Sequence, residues 1–99
     1  MVGSDFFDYE TVAASQTDQA LGAAGGQGDL LHALIITVGT AATSTVSIKD
    51  GTTSIPVMAA NTTIGVYRVE FNTRSATGAW SVTTGAGATV VAVGDFAAA

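Results

Sequence analysis

The chain has 99 residues, of which 47% are hydrophobic and 11% charged, with eight acidic residues against three basic ones and no cysteine. That length supports one domain. The missing cysteine excludes a disulfide framework and a thiolate metal site, and the net charge of −5 leaves no clustered basic face of the kind nucleic-acid binding uses.

A domain this small removes only roughly 64% of its unfolded surface from water on folding, so without covalent staples it is expected to gain stability by associating with copies of itself. The first eight residues, MVGSDFFD, carry two adjacent aromatics, Phe6 and Phe7, on a polar stretch. They read as an arm, free or docked on a neighbour, which leaves residues 9–99 as the folded domain. Acidic residues stand where a secretory signal has a basic start and an apolar run, so synthesis in the cytosol is expected.

Helical periodicity is confined to an Ala-rich stretch over residues 19–24, which Gly25 and Gly26 close at once. Strand signals are frequent. Runs rich in β-branched residues between Gly, Asn and Asp predict strands over residues 9–14, 19–21, 29–38, 45–49, 53–58, 65–72, 79–83 and 88–96. Seven or eight short strands at this spacing predict an all-β chain folded as a compact antiparallel β-sandwich.

Within that series Leu30–Val38, LLHALIITV, is nine almost uninterrupted apolar residues. It is too short to cross a bilayer as a helix, which takes about 20 residues, and no other segment reaches that length. As a strand it is apolar on both faces, because successive side chains alternate, so it is expected between two packed layers or between two subunits. Leu31 and Ile35 are assigned to the core, and Leu30, His32, Leu34 and Ile36 to an interface.

Further along, Asp50-Gly51 between two alternating strands predicts a hairpin over residues 48–55. Pro56 cannot donate a ladder hydrogen bond, which places its strand at a sheet edge or at a bulge. Residues 61–63 read as a loop, and residues 76–78 and 85–87 as turns. In the next strand Tyr67, Val69 and Phe71 share one face and Val66, Arg68 and Glu70 the other, so the first set is assigned to the core. Trp80 with Val82, Val46 with Ile48, and Ile55 with Val57 join it by the same alternation.

Chemistry-bearing residues are sparse. His32 is the only histidine and lies inside the apolar run, so it reads as a packed or interface residue; a zinc site would need several carboxylates around it. No G-x-S-x-G nucleophile elbow occurs, which leaves the abundant serines without a hydrolase context. Asp5, Asp8 and Glu10 form an acidic cluster but lack the glycine and terminal glutamate of an EF-hand loop, and read as a solvated arm. Asp50 and Asp95 read as turn and strand-end residues rather than a paired-carboxylate site. Gly22, Gly25, Gly26 and Gly28 lack the lysine of a phosphate loop. Trp80, Tyr67 and Tyr9 could stack on sugar rings if exposed together, whereas the alternation of Trp80 with Val82 predicts that it anchors the core.

The runs YETVAASQTDQALG, GDLLHALII, VSIKDG and RSATGAWSVTTGAGATVVAVG resemble small tailed-bacteriophage virion proteins over nearly the whole chain. The resemblance is closest to head decoration, or cement, proteins. It implies a β-sandwich of jelly-roll type, a homotrimer or similar closed oligomer on the outside of the phage head, and the major capsid protein or another virion protein as partner. It implies no enzymatic activity, cofactor, metal, nucleic acid or membrane, and a location in the virion after synthesis in the host cytoplasm. Phe6, Phe7, Leu30, His32, Leu34 and Ile36 would then supply oligomer or capsid contacts. Short tail-fibre and adaptor proteins use similar sequences, and the rival expectation is a fibre module that recognises host-surface carbohydrate.

Overall fold

The computed structural model describes residues 8–22, 27–40 and 44–96. Among them are eight strands: β1 (Asp8–Val12), β2 (Gln19–Ala20), β3 (Leu30–Val38), β4 (Val46–Asp50), β5 (Thr53–Met58), β6 (Gly65–Arg74), β7 (Trp80–Thr83) and β8 (Ala88–Asp95). Every pairing is antiparallel. The pairs β1 with β8, β2 with β7, β3 with β6 and β4 with β5 join strands counted inward from the two ends of the chain. A long hairpin of four such pairs, rolled so that alternate pairs fall in opposite layers, is a jelly roll. Pairing of β8 with β3 and of β7 with β4 completes two four-stranded sheets, ordered β1-β8-β3-β6 and β2-β7-β4-β5. The chain is an all-β sandwich, as the spacing of its strands predicted.

The core lies between the inner faces. Val12, Val90, Ile36 and Tyr67 form one row across the first sheet, and Ala92, Leu34 and Val69 the next. Val46, Ile48, Trp80 and Val82 face them from the second sheet, with Leu21 and Phe96 closing the sides. A fully buried Leu, Ile or Val contributes about 1.5–3 kcal/mol each, so this cluster is the main source of stability. Trp80 is held at both ends of its indole: Nε1 donates to the Asp29 carbonyl at 2.9 Å, and the ring meets Phe71 edge-on at 5.6 Å. Leu31 is also buried, and Tyr67, Val69, Phe71, Ile55 and Val57 are partly buried against the cluster, where the alternation assigned them.

The phase of β3 corrects the sequence reading. Its register with both neighbours shifts between Leu31 and Ala33: His32 is an extra residue against β8, while against β6 it stands opposite the two residues Phe71 and Asn72, and the faces of β3 are exchanged there. Leu31 points inward before the shift, and Leu34, Ile36 and Val38 point inward after it. Leu34 and Ile36, expected at an interface, are therefore core residues without exposed surface, and Ile35, expected in the core, lies on the outer face opposite Val91 and Arg68. A run apolar at every position has no period that would reveal such a change of phase.

Local turn chemistry follows the residues. Gly51 and Thr52 connect β4 to β5, and Gly51 takes a φ of 60° at the first connecting position, as a II′ hairpin requires. Pro56 lies in β5, which is both an edge strand and bulged opposite Val46 and Ser47. The stretch over residues 19–24 contributes the two-residue β2, and Gly25 and Gly26 lie outside the described residues. Asp8, expected in the arm, is the first residue of β1 and pairs with Gly94; Phe6, Phe7 and Asp5 lie outside the described residues.

Candidate interaction surface

The two outer faces of the sandwich differ in chemistry. On the β1-β8-β3-β6 sheet, Thr11, Val91, Ile35 and Arg68 form one outward row, and Tyr9, Val93, Ala33 and Glu70 the next. Val66 extends it beside Thr37 and Thr89. Tyr9 is 73% exposed and Val66 67%, while Ile35, Val91 and Val93 are half-buried by their neighbours. The centre of this face is apolar and unroofed by any other described strand. On the β2-β7-β4-β5 sheet the outward residues are Ser81, Thr83, Ser47, Lys49, Ser54 and Pro56, a hydroxyl-rich face with every reason to stay wet.

That polar face is tied together by its own groups. Lys49 Nζ donates to Asp18 Oδ2 at 3.2 Å, and the Thr83 hydroxyl donates to Asp18 Oδ1 while accepting the Asp18 N–H. The Lys49 ammonium, followed by the Thr83 hydroxyl, holds the Asp18 carboxyl below the usual carboxylate range. At the end of β4, burial pushes the Asp50 carboxyl up, but the N–H groups of Thr77 and Ala76, the Thr77 hydroxyl and the Gly78 N–H outweigh it and leave it lowered. Asp50 is thus the clasp between the β4–β5 hairpin and the loop before β7.

The apolar face has a charged margin along β6. Arg68 Nε donates to the Glu70 carboxylate two residues on, and this guanidinium, with a further contribution from the charge of His32, holds the Glu70 carboxyl below its ordinary range. His32 Nδ1 bonds to Asn72 Oδ1 at the double shift in the ladder. His32 is thereby a half-buried bulge residue on the outward side, and Leu30 is half-buried at the start of the same strand.

The remaining sequence candidates separate. Trp80 is 1% exposed inside the core, Tyr67 is half-buried with its hydroxyl donating to the Thr63 carbonyl, and Tyr9 stands on the outer face, so the three aromatics do not share a surface. Glu10 is turned inward and bridges the layers: its carboxylate accepts from Gln19 Nε2 at 3.1 Å and from the Gly22 N–H at 2.7 Å. Among the described residues no three His, Asp or Glu side chains gather as a metal-binding group, and no helix is long and apolar enough to cross a membrane. Sequence reasoning set Val66 on the outer face with Arg68 and Glu70, where it lies, but missed Val91 and Val93 as surface residues. For Val91 and Val93 the reason is that β8 alternates Val with Ala and Val, so both of its faces read as apolar.

No protein-family model matches the chain, and neither a curated protein nor a solved structure is similar to it.

Proposed function

We propose that this is a non-enzymatic virion structural protein, a head decoration protein that lies on the outside of a tailed-phage capsid as a closed homo-oligomer. The observation that carries the reading is the asymmetry of the two outer faces. A protein that coats a particle needs one face to dock and one to meet solvent; Tyr9, Ile35, Val66, Val91 and Val93 suit docking, and the Ser and Thr residues of the opposite sheet suit exposure. The margin formed by Arg68 and Glu70 would set register on the capsid subunit without adding much affinity.

Jelly rolls serve both as capsid components and as lectins, so the fold alone favours neither. A sugar-stacking platform would rest on Tyr9, since Trp80 and Tyr67 are taken up in packing. For that reason the docking role is preferred to carbohydrate recognition.

Immunogold labelling of particles produced by the encoding phage tests the reading. Label spread over the head is the expected result, and label on the fibres alone, or none on intact particles, would overturn it. A variant carrying Ile35→Glu and Val91→Glu should fold and yet be missing from purified heads.

A further inference from the structure

We infer that the β6 edge is a self-pairing surface: two copies of the chain join β6 to β6, antiparallel about a twofold axis at Val69, into one eight-stranded sheet. Among the described residues four strand edges have no further strand beside them, those of β1, β6, β2 and β5. Natural edges are blunted by shortness, proline, bulges or unmatched charge. β2 has two residues, β5 carries Pro56 and a bulge, and β1 has five residues, whereas β6 has ten, none of them proline. It pairs with β3 on one side and with no other described strand on the second. Its ladder is regular from Gly65 to Glu70 and slips only toward Asn72.

Charge selects both the partner and the register. A twofold axis perpendicular to the sheet keeps each face on its own side, so the centre of pairing must fall on a residue. Centred on Arg68 it sets two guanidiniums opposite each other, and centred on Glu70 two carboxylates; like charges directly opposite are unfavourable. Centred on Val69 it places Arg68 against Glu70 of the second copy, twice, on the outer face. On the inner face the same register sets Tyr67 against Phe71 of the second copy, two half-buried aromatics whose remaining exposed surface would be covered. The opposite charges on β6 thus match a second β6 instead of repelling it.

The axis also leaves both apolar outer faces pointing the same way, so the pair doubles the platform formed by Ile35, Val91 and Val93. The inference therefore concerns the unit of assembly and stands whether or not the platform docks on a phage head. A threefold arrangement built through other surfaces would be a set of such pairs.

The test is solution mass by light scattering over a dilution series, with hydrogen exchange across β6, for the parent, Arg68→Glu, Glu70→Arg and an equal mixture of the two variants. Both sites are exposed, so each variant should keep the parent's circular dichroism. The parent should form a dimer or an even multiple, and the amides of residues 67–71 should slow as it associates. Each variant alone faces two like-charge pairs and should associate about tenfold more weakly. Mixed, they restore both opposite pairs and should recover the parent's affinity as a heterodimer. A parent that stays monomeric, an odd-numbered oligomer, β6 amides that exchange at the monomer rate in the assembly, or a mixture no tighter than its components would each overturn the inference.

Discussion

His32 and Asn72 stand where the ladder between β3 and β6 slips, and they are bonded to one another, the imidazole Nδ1 donating to the Asn72 amide oxygen. One is the extra residue of β3 against β8, and the other takes a φ of 51° on β6. The bond links two irregularities into one joint, and the joint fixes which residues of the apolar strand enter the core.

The first expectation concerns that phase. Ile36 is without exposed surface and Ile35 is half-buried on the outer face. Ile36→Ala should cost about 2–5 kcal/mol and Ile35→Ala about 1 kcal/mol, measured by urea unfolding under conditions where the chain is monomeric. Ile35→Asp should remain folded because its new carboxylate sits across from Arg68, whereas Leu34→Asp should not fold. Equal losses at positions 35 and 36 would contradict the change of phase at His32.

Asn72 can be tested separately from burial, since it is exposed. Glycine accepts a positive φ freely, so Asn72→Gly should lose no more than the bond to His32, about 1 kcal/mol. A branched side chain is strongly disfavoured there, and Asn72→Val should cost about 2–3 kcal/mol in thermal melts. A valine variant as stable as the glycine one would mean that the left-handed residue is not needed for the joint.

Asp50 makes the acid limb of stability predictable. Its carboxyl is lowered in the folded chain relative to an ordinary carboxylate near 3.9, so its contribution is complete above about pH 4 and fades as the pH falls through the lowered folded value. Asp50→Asn keeps one amide oxygen to accept from the Ala76 or Thr77 N–H but loses the charge. The variant should be about 1–2 kcal/mol less stable at pH 7 and should show a shallower loss between pH 4 and pH 2 than the parent. Asp18 and Glu70 are lowered in the same direction by exposed partners, so their share should shrink in high salt.

Gly94 sets a close approach beside the same bulge. A Cβ at this position would lie 2.1 Å from the Leu30 carbonyl oxygen and 2.9 Å from the Phe96 ring. The carbonyl belongs to the paired strand and cannot swing aside, so Gly94→Ala should cost about 1–3 kcal/mol by denaturant unfolding. An alanine variant at parental stability would mean that β3 and β8 are further apart at this point.

What could be read locally held. The Tyr67, Val69 and Phe71 face of β6 and the Trp80 and Val82 face of β7 alternate with polar neighbours, so a period of two is visible without knowing the fold. Asp50-Gly51 announces its hairpin and Pro56 its edge strand because both effects act within a few residues, through φ and a missing N–H. Strand count and the sandwich itself followed from the same short-range signals.

The apolar strand was different. In LLHALIITV every register buries something apolar, so sequence alone assigned Ile35 inward and Leu34 and Ile36 outward, and packing chose the reverse. That choice was made by β8, whose ladder admits His32 as an extra residue next to Gly94, and by β6, which carries its own extra residue beside the left-handed Asn72. The pairing of β1 with β8, across nearly the whole chain, likewise has no local signal. Sequence determined the composition of each strand and where the chain turns, because those depend on single residues and their neighbours. Tertiary structure alone decided the phase of β3, the apolar character of one outer face and the open edge of β6, because each depends on which distant strand lies alongside and on the volume left between them.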